Sequence, residues 1–190
     1  ANHPDLNWEN PEVRAAVFEM MRWWVDRGVD GFRLDVINLI SKPAEITSGG
    51  PIPDGYAEFP HIANGPRLDE FLADMNREVG LDAENLITVG EMPGATVEVA
   101  RNVTDPERSE LNMVFTFEHV SLDQASESKW DLAPLSLPVL KGNLADWQYG
   151  LADVGWNSLY LDNHDQPRAV SRFGDDSPAH RVNSSKTLAT

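Results

Sequence analysis

The chain has 190 residues, 41% hydrophobic and 24% charged, with no apolar run near the ~18 residues a membrane span needs, so it reads as one soluble domain and excludes a membrane. A formal net charge of -16 without a local basic stripe argues against nucleic acid, whose phosphates it would repel, and favours a neutral or cationic partner. Zero cysteines exclude a disulfide scaffold and a thiol nucleophile and fit a reducing, cytoplasmic setting; the first residue, Ala1, is not a methionine, which fits an internal piece of a longer chain.

Asn2 to Asn10 is polar and turn-like. Asn10-Pro11-Glu12 predicts a helix start, with Asn as the cap, proline at the first helical position and an acid in the first turn. Val13, Val17, Met20, Met21 and Trp24 then recur at helical spacing before Gly28. The stretch Asp30 to Asn38 predicts a strand, in which alternation places Arg33 and Asp35 on one face and Phe32, Leu34 and Val36 on the other. The charged face either lines a polar centre or is a buried ion pair that orients the strand. On this stretch alone both remain open.

From Ser41 to Gly65, prolines and glycines mark a long loop of the kind that forms lids and binding loops, and its Tyr56, Phe59 and His61 could touch a ligand, although a solvated role for a lone loop histidine is commoner. Pro66 opens a second helix with Leu68, Phe71, Leu72, Met75 and Val79 as one stripe before Gly80. Asn85 to Gly94 predicts a short apolar strand ending in the carboxylate of Glu91, which is affordable only where that end opens to solvent or a site. A helix from Thr96 to about Val103 follows. Leu111 to Glu118 predicts a third strand, with Met113, Phe115 and Phe117 on one face and Val114, Thr116 and Glu118 on the other, and His119 follows it. Ser121 to Leu140 is irregular, Asn143 to Leu151 predicts a short helix with Leu144, Trp147 and Leu151 inward, and Trp156 to Asp162 predicts a fourth strand. That strand runs into Asn163-His164-Asp165-Gln166-Pro167-Arg168. A last helix begins near Ala179, and no internal repeat or low-complexity tract is present.

This is an α/β pattern of parallel strand–helix units, with Asp35, Glu91 and Asp165 at or near the C-terminal ends of three strands, where α/β folds build their sites. Carboxylates converging from separate strands suggest glycoside hydrolysis, one acid attacking or activating water and another protonating the leaving oxygen. A metal site competes, since His164, Asp165, Glu91, Glu118 and His119 are eligible ligands. With only 5 histidines and no His-x-His or His-Glu-x-x-His pattern it is the weaker reading, and no metal ligand is assigned. A serine triad is weaker still, because no Gly-x-Ser-x-Gly elbow occurs.

The motifs GFRLDVIN, VGEMPG and DNHDQPR resemble, in order, the second, third and fourth signature regions of the α-amylase superfamily of retaining glycoside hydrolases. PDLNWENPEVR, ANGPR and FTFEH are similar to its α-glucosidase branch, which includes oligo-1,6-glucosidases, and the likeness covers essentially the whole chain. The resemblance implies a (β/α)8 TIM barrel of which this chain supplies about the fourth through seventh strands. It implies Asp35 as nucleophile, Glu91 as general acid/base and Asp165 as transition-state stabiliser. Arg33 would keep Asp35 charged and oriented, as a neighbouring cation does. His164 would hydrogen-bond the innermost sugar and Arg168 would help fix its non-reducing end. Where α-amylases resemble Asp-Ala-x-Lys-His, this chain has Asp35-Val36-Ile37-Asn38, which counts against an endo-amylase and its calcium site. Valine after the nucleophile goes in this family with α-1,6 bonds, so Val36 points to isomaltose-type substrates.

The expectation is therefore a retaining exo-α-glucosidase for short oligosaccharides, a cytoplasmic monomer when full length, with no cofactor and any calcium ligands outside this stretch. A transglycosylating relative, of sucrose isomerase or trehalose synthase type, is the alternative. A non-catalytic transporter heavy-chain ectodomain is disfavoured because the three acids are present. Residues 1–190 are expected to be part of one catalytic barrel domain, with the end of an inserted loop domain near residues 1–10 and with the N-terminal strands, the eighth strand and a C-terminal β-domain missing. Such a piece would leave open sheet edges, so alone it is expected to be unstable and inactive.

Overall fold

In the computed structural model of the chain, which describes residues 4–47, 61–126, 128 and 130–189, helix α1 spans Pro11–Val25. The Asn10 side chain accepts the backbone N–H of Glu12, and proline and an acid occupy the first turn, so the start lies where the sequence places it. Phe18 and Met21 are its buried positions. Gly28, at φ 86, then makes the left-handed turn towards the sheet. Tyr56 and Phe59 lie outside the described residues, and His61 is exposed.

Strands β1 (Gly31–Leu34), β2 (Ile87–Glu91) and β3 (Met113–Phe115) form a 3-stranded parallel sheet in the order β1-β2-β3. Gly31 pairs with Ile87, and a Cβ on Gly31 would stand 2.1 Å from the Ile87 carbonyl oxygen, so no other residue fits there. The connections are the helices that parallel strands require. α2 (Ala44–Thr47) and α3 (Leu68–Val79) follow β1, and α4 (Val97–Thr104) follows β2. α3 buries the predicted stripe of Leu68, Phe71, Leu72, Met75 and Val79 and ends on Gly80 at φ 81. The Thr96 side chain caps α4 by accepting the N–H of Val99.

Three of the predicted strands need correction. β1 stops at Leu34, because Val36 adopts φ 37, ψ 44 and starts a 3-10 helix over Ile37–Leu39. Asp35 therefore lies just past the strand, and Val36 does not continue its apolar face. β3 keeps only the centre of the predicted Leu111 to Glu118 strand. The predicted strand at Trp156 to Asp162 is reduced to one parallel bridge, Val114 with Asn157. A ladder needs successive residues to bond, whereas here both bonds fall on Val114, which donates to Trp156 O and accepts from Ser158 N–H.

Helix α5 (Leu137–Leu151) begins well before the predicted Asn143, and Trp147 and Leu151 are its buried residues. α6 (Ala169–Phe173) and α7 (Arg181–Leu188) follow. The chain divides into two compact units, Ala1–Thr116 with Trp147–Ser158, and Phe117–Asp146 with Leu159–Thr190. The first holds the sheet and a core that includes Phe18, Met75, Val103, Val114 and Trp147. The second contains the buried ion pair Arg172–Asp123, and its His119 packs edge-on against Tyr160. Among the described residues no helix is long and apolar enough to cross a membrane.

Candidate active site

In the first unit the end of β1 and the end of β2 bring together Arg33, Asp35, Val36 and Glu91. Arg33 divides its guanidinium between two carboxylates: Nη1 donates to Asp35 Oδ1, and Nη2 donates to Glu91 Oε2 at 2.5 Å. The backbone N–H of Val36 reaches the same Glu91 oxygen at 3.1 Å, because the left-handed turn aims it there. Arg33 also lies over the Phe115 ring, 5.4 Å from its centroid. The sequence places Glu91 here by ending a buried strand on an acid. Gly90 before it allows the close approach of Leu111, whose Cδ1 would sit 2.7 Å from a Cβ at that position.

The two carboxyl groups differ in environment. The Asp35 side chain is 76% exposed, whereas that of Glu91 is 5% exposed. Burial pushes the Glu91 carboxyl above its ordinary value; the Val36 N–H and the Arg33 charge pull it back, and the hydrogen bond and charge of Asp35 raise it further. A buried carboxyl biased towards its protonated form beside an accessible one is the arrangement from which one group can donate a proton while the other attacks or accepts.

The second unit carries the other predicted residues. His164 Nε2 lies 3.2 Å from Asp165 Oδ2, and both side chains are exposed. The Asp165 N–H donates to Asn163 Oδ1 at 2.9 Å, a turn that fixes the backbone under these two side chains. Arg168 is exposed at the cap position of α6, and it is Asp162 Oδ2 that receives the N–H of Ala169, at 2.7 Å. Of the other eligible ligands, Glu118 accepts from Asn143 at 2.9 Å. His119 is buried with Nε2 2.6 Å from the Tyr160 carbonyl, and burial pushes its imidazole below the ordinary value. Among the described residues no group of three His, Cys, Asp or Glu could hold a metal ion.

Sequence reasoning missed three contributors: the Val36 N–H, the buried amide of Asn38, and Arg172 beneath the Asp165 loop. For Asn38 a signal existed, a lone amide inside the apolar run from Val36 to Ile40. No local pattern marks Arg172, whose partner Asp123 is distant in sequence.

Known proteins share this arrangement of elements. The chain is 56% identical over 192 residues to an oligo-1,6-glucosidase of Halalkalibacterium halodurans, covering 98% of this chain and 33% of that protein. A trehalose-6-phosphate hydrolase of Bacillus licheniformis superposes with a TM-score of 0.80 at 46% identity, over 93% of this chain and 31% of that one. An isomaltulose synthase from Erwinia rhapontici NX5 superposes with 0.86 at 36% identity, over 98% and 33%. The chain thus spans about a third of the length of the relatives it matches. The family described as alpha amylase, catalytic domain, matches residues 1–190, and the chain belongs to that family, as part of its α/β barrel.

Proposed function

We propose that the full-length protein containing this chain is a retaining exo-α-glucosidase acting on short α-1,6-linked glucosides, with residues 1–190 forming part of its catalytic barrel. The observation that carries this reading is the asymmetric pair, Glu91 buried and Asp35 exposed, held by one guanidinium. Asp35 attacks the anomeric carbon while the Glu91 carboxyl gives its proton to the departing glycosidic oxygen, leaving a glucosyl ester on Asp35. The Glu91 carboxylate then takes a proton from water, whose oxygen displaces Asp35, so two inversions retain the α configuration. Arg33 supplies the counter-charge for both carboxylates. Asp165, His164 and Arg168 bind the sugar hydroxyls in this reading, and Val36, next to the nucleophile, selects the bond.

Support for the linkage comes from the 56% identical oligo-1,6-glucosidase. A second reading, isomerisation by transfer to a sugar acceptor, is favoured by the likeness to the isomaltulose synthase. Product analysis with isomaltose, maltose and sucrose separates the two. The role assignment is tested in the full-length protein by Asp35→Asn, Glu91→Gln and Asp165→Asn, one at a time. Each is expected to lower kcat by at least about 100-fold. For the parent, activity falls as pH rises through the raised Glu91 value, since the acid must be protonated to act. Near-parent turnover in any of the three variants would overturn its role.

A further inference from the structure

Asn38 is 0% exposed and sits in the 3-10 turn that follows Asp35. Its Nδ2 donates to the carbonyl of Pro93 at 2.8 Å and to Asn64 Oδ1 at 3.1 Å. Asn64 returns the contact, its backbone N–H donating to the Asn38 carbonyl at 2.9 Å. Asn64 stands at φ 53, in the left-handed region that asparagine tolerates better than most residues. One amide thus ties the loop carrying Asp35 to the loop just beyond Glu91. On the far side the Met92 N–H donates to Phe115 O at 3.1 Å, which anchors the Glu91 exit to β3; Asn38 anchors it towards β1.

Asn38 Oδ1 is buried with no hydrogen-bond partner among the described residues, in a run that is otherwise apolar. A leucine there would remove the orphan acceptor but leave the Pro93 carbonyl and Asn64 Oδ1 without this donor, so what distinguishes the amide is the pair of contacts its N–H groups hold.

We propose that Asn38 is a positioning residue that sets the separation of Asp35 and Glu91, acting through the Pro93 carbonyl, with Asn64 as its clasp. This rests on Glu91 being the general acid. The proton it gives must cross one hydrogen bond to the glycosidic oxygen, so a displaced Glu91 loses proton transfer while Asp35 still attacks. A substrate whose leaving group needs no proton escapes that loss. α-Glucosyl fluoride, which departs as fluoride, is such a substrate.

The test compares kcat/KM for isomaltose and for α-glucosyl fluoride in the full-length protein and in Asn38→Leu, Asn64→Gly and Glu91→Gln. Asn64→Gly keeps the left-handed backbone accessible and removes only the side-chain acceptor, so it decides the matter if Asn38→Leu does not fold. Asn38→Leu is expected to lose up to about 100-fold on isomaltose, the effect of a displacement near 1 Å, and several-fold less on the fluoride. Asn64→Gly should show the same bias more weakly, and Glu91→Gln more strongly. Equal losses on both substrates in the asparagine variants, with Glu91→Gln still selective, overturn the positioning role alone. Equal losses in Glu91→Gln as well overturn the assignment of Glu91 and this inference with it.

Discussion

Val36 is a β-branched side chain on a left-handed backbone, at φ 37 and ψ 44, a conformation that carries strain on the order of 1–3 kcal/mol. The same turn delivers its N–H to Glu91, so strain and site geometry are one feature. Val36→Asn relieves the backbone and is expected to escape the loss of about 1 kcal/mol usual for a point substitution. Its denaturant midpoint should equal or exceed that of the parent; a clearly lower midpoint at an unchanged slope contradicts the strain. Glu110 makes a second residue-scale case. Burial pushes its carboxyl up to about 7, and Oε2 has no hydrogen-bond partner among the described residues, although Arg108 Nε donates to Oε1 at 3.0 Å. A carboxyl whose value is raised on folding binds its proton more tightly in the folded state. Its penalty is therefore absent in acid and grows as pH rises from the ordinary glutamate value through about 7, remaining in full above it. Glu110→Gln should match the parent near pH 4 and exceed it by roughly 3 kcal/mol near pH 8. Denaturant unfolding at both pH values checks this, and a gain that is equal at the two contradicts it.

At the scale of elements, α6 depends on one buried ion pair. The side chains of Arg172 and Asp123 are 0% and 3% exposed; Nε meets Asp123 Oδ2 at 2.8 Å, Nη2 the Val120 carbonyl at 2.7 Å, and Nη1 Gln166 Oε1 at 3.3 Å. Gln166 adjoins Asp165, so the pair also steadies that loop. Arg172→Leu leaves a buried carboxylate uncompensated and should cost about 3–5 kcal/mol, part of which Asp123→Leu added in the same chain should restore. A double variant no more stable than the single one contradicts that account. These elements also show what could be read in advance. α1 and α3 were legible because caps and a 3.6-residue apolar stripe coincide: Asn10 with Pro11, and the Leu68 to Val79 stripe with Gly80. The place of Glu91 was legible because the predicted apolar strand ends on a carboxylate, as β2 does. The true end of β1 was not, since nothing in Asp35-Val36-Ile37 announces a left-handed valine; the valine propensity alone favours continuing the strand. The fourth strand was overread for a related reason: its apolar alternation describes a half-buried surface, which one bridge satisfies as well as a ladder does. α6, with only 5 residues, carries too little periodicity to be seen.

At the scale of the whole molecule, the chain spans about a third of the length of its relatives. Arg33, Asp35 and Glu91 belong to one compact unit, and His164, Asp165 and Arg168 to the other. Full-length protein is therefore the object on which the chemistry has to be tested. The most direct measurement uses a fluorinated α-glucosyl fluoride that forms the glycosyl-enzyme faster than water releases it, followed by peptide mass spectrometry. The account predicts one fluoroglucosyl adduct, on the carboxylate of Asp35, absent from Asp35→Asn. An adduct on Glu91 or on any other residue, or turnover with inverted configuration and no adduct, would contradict it.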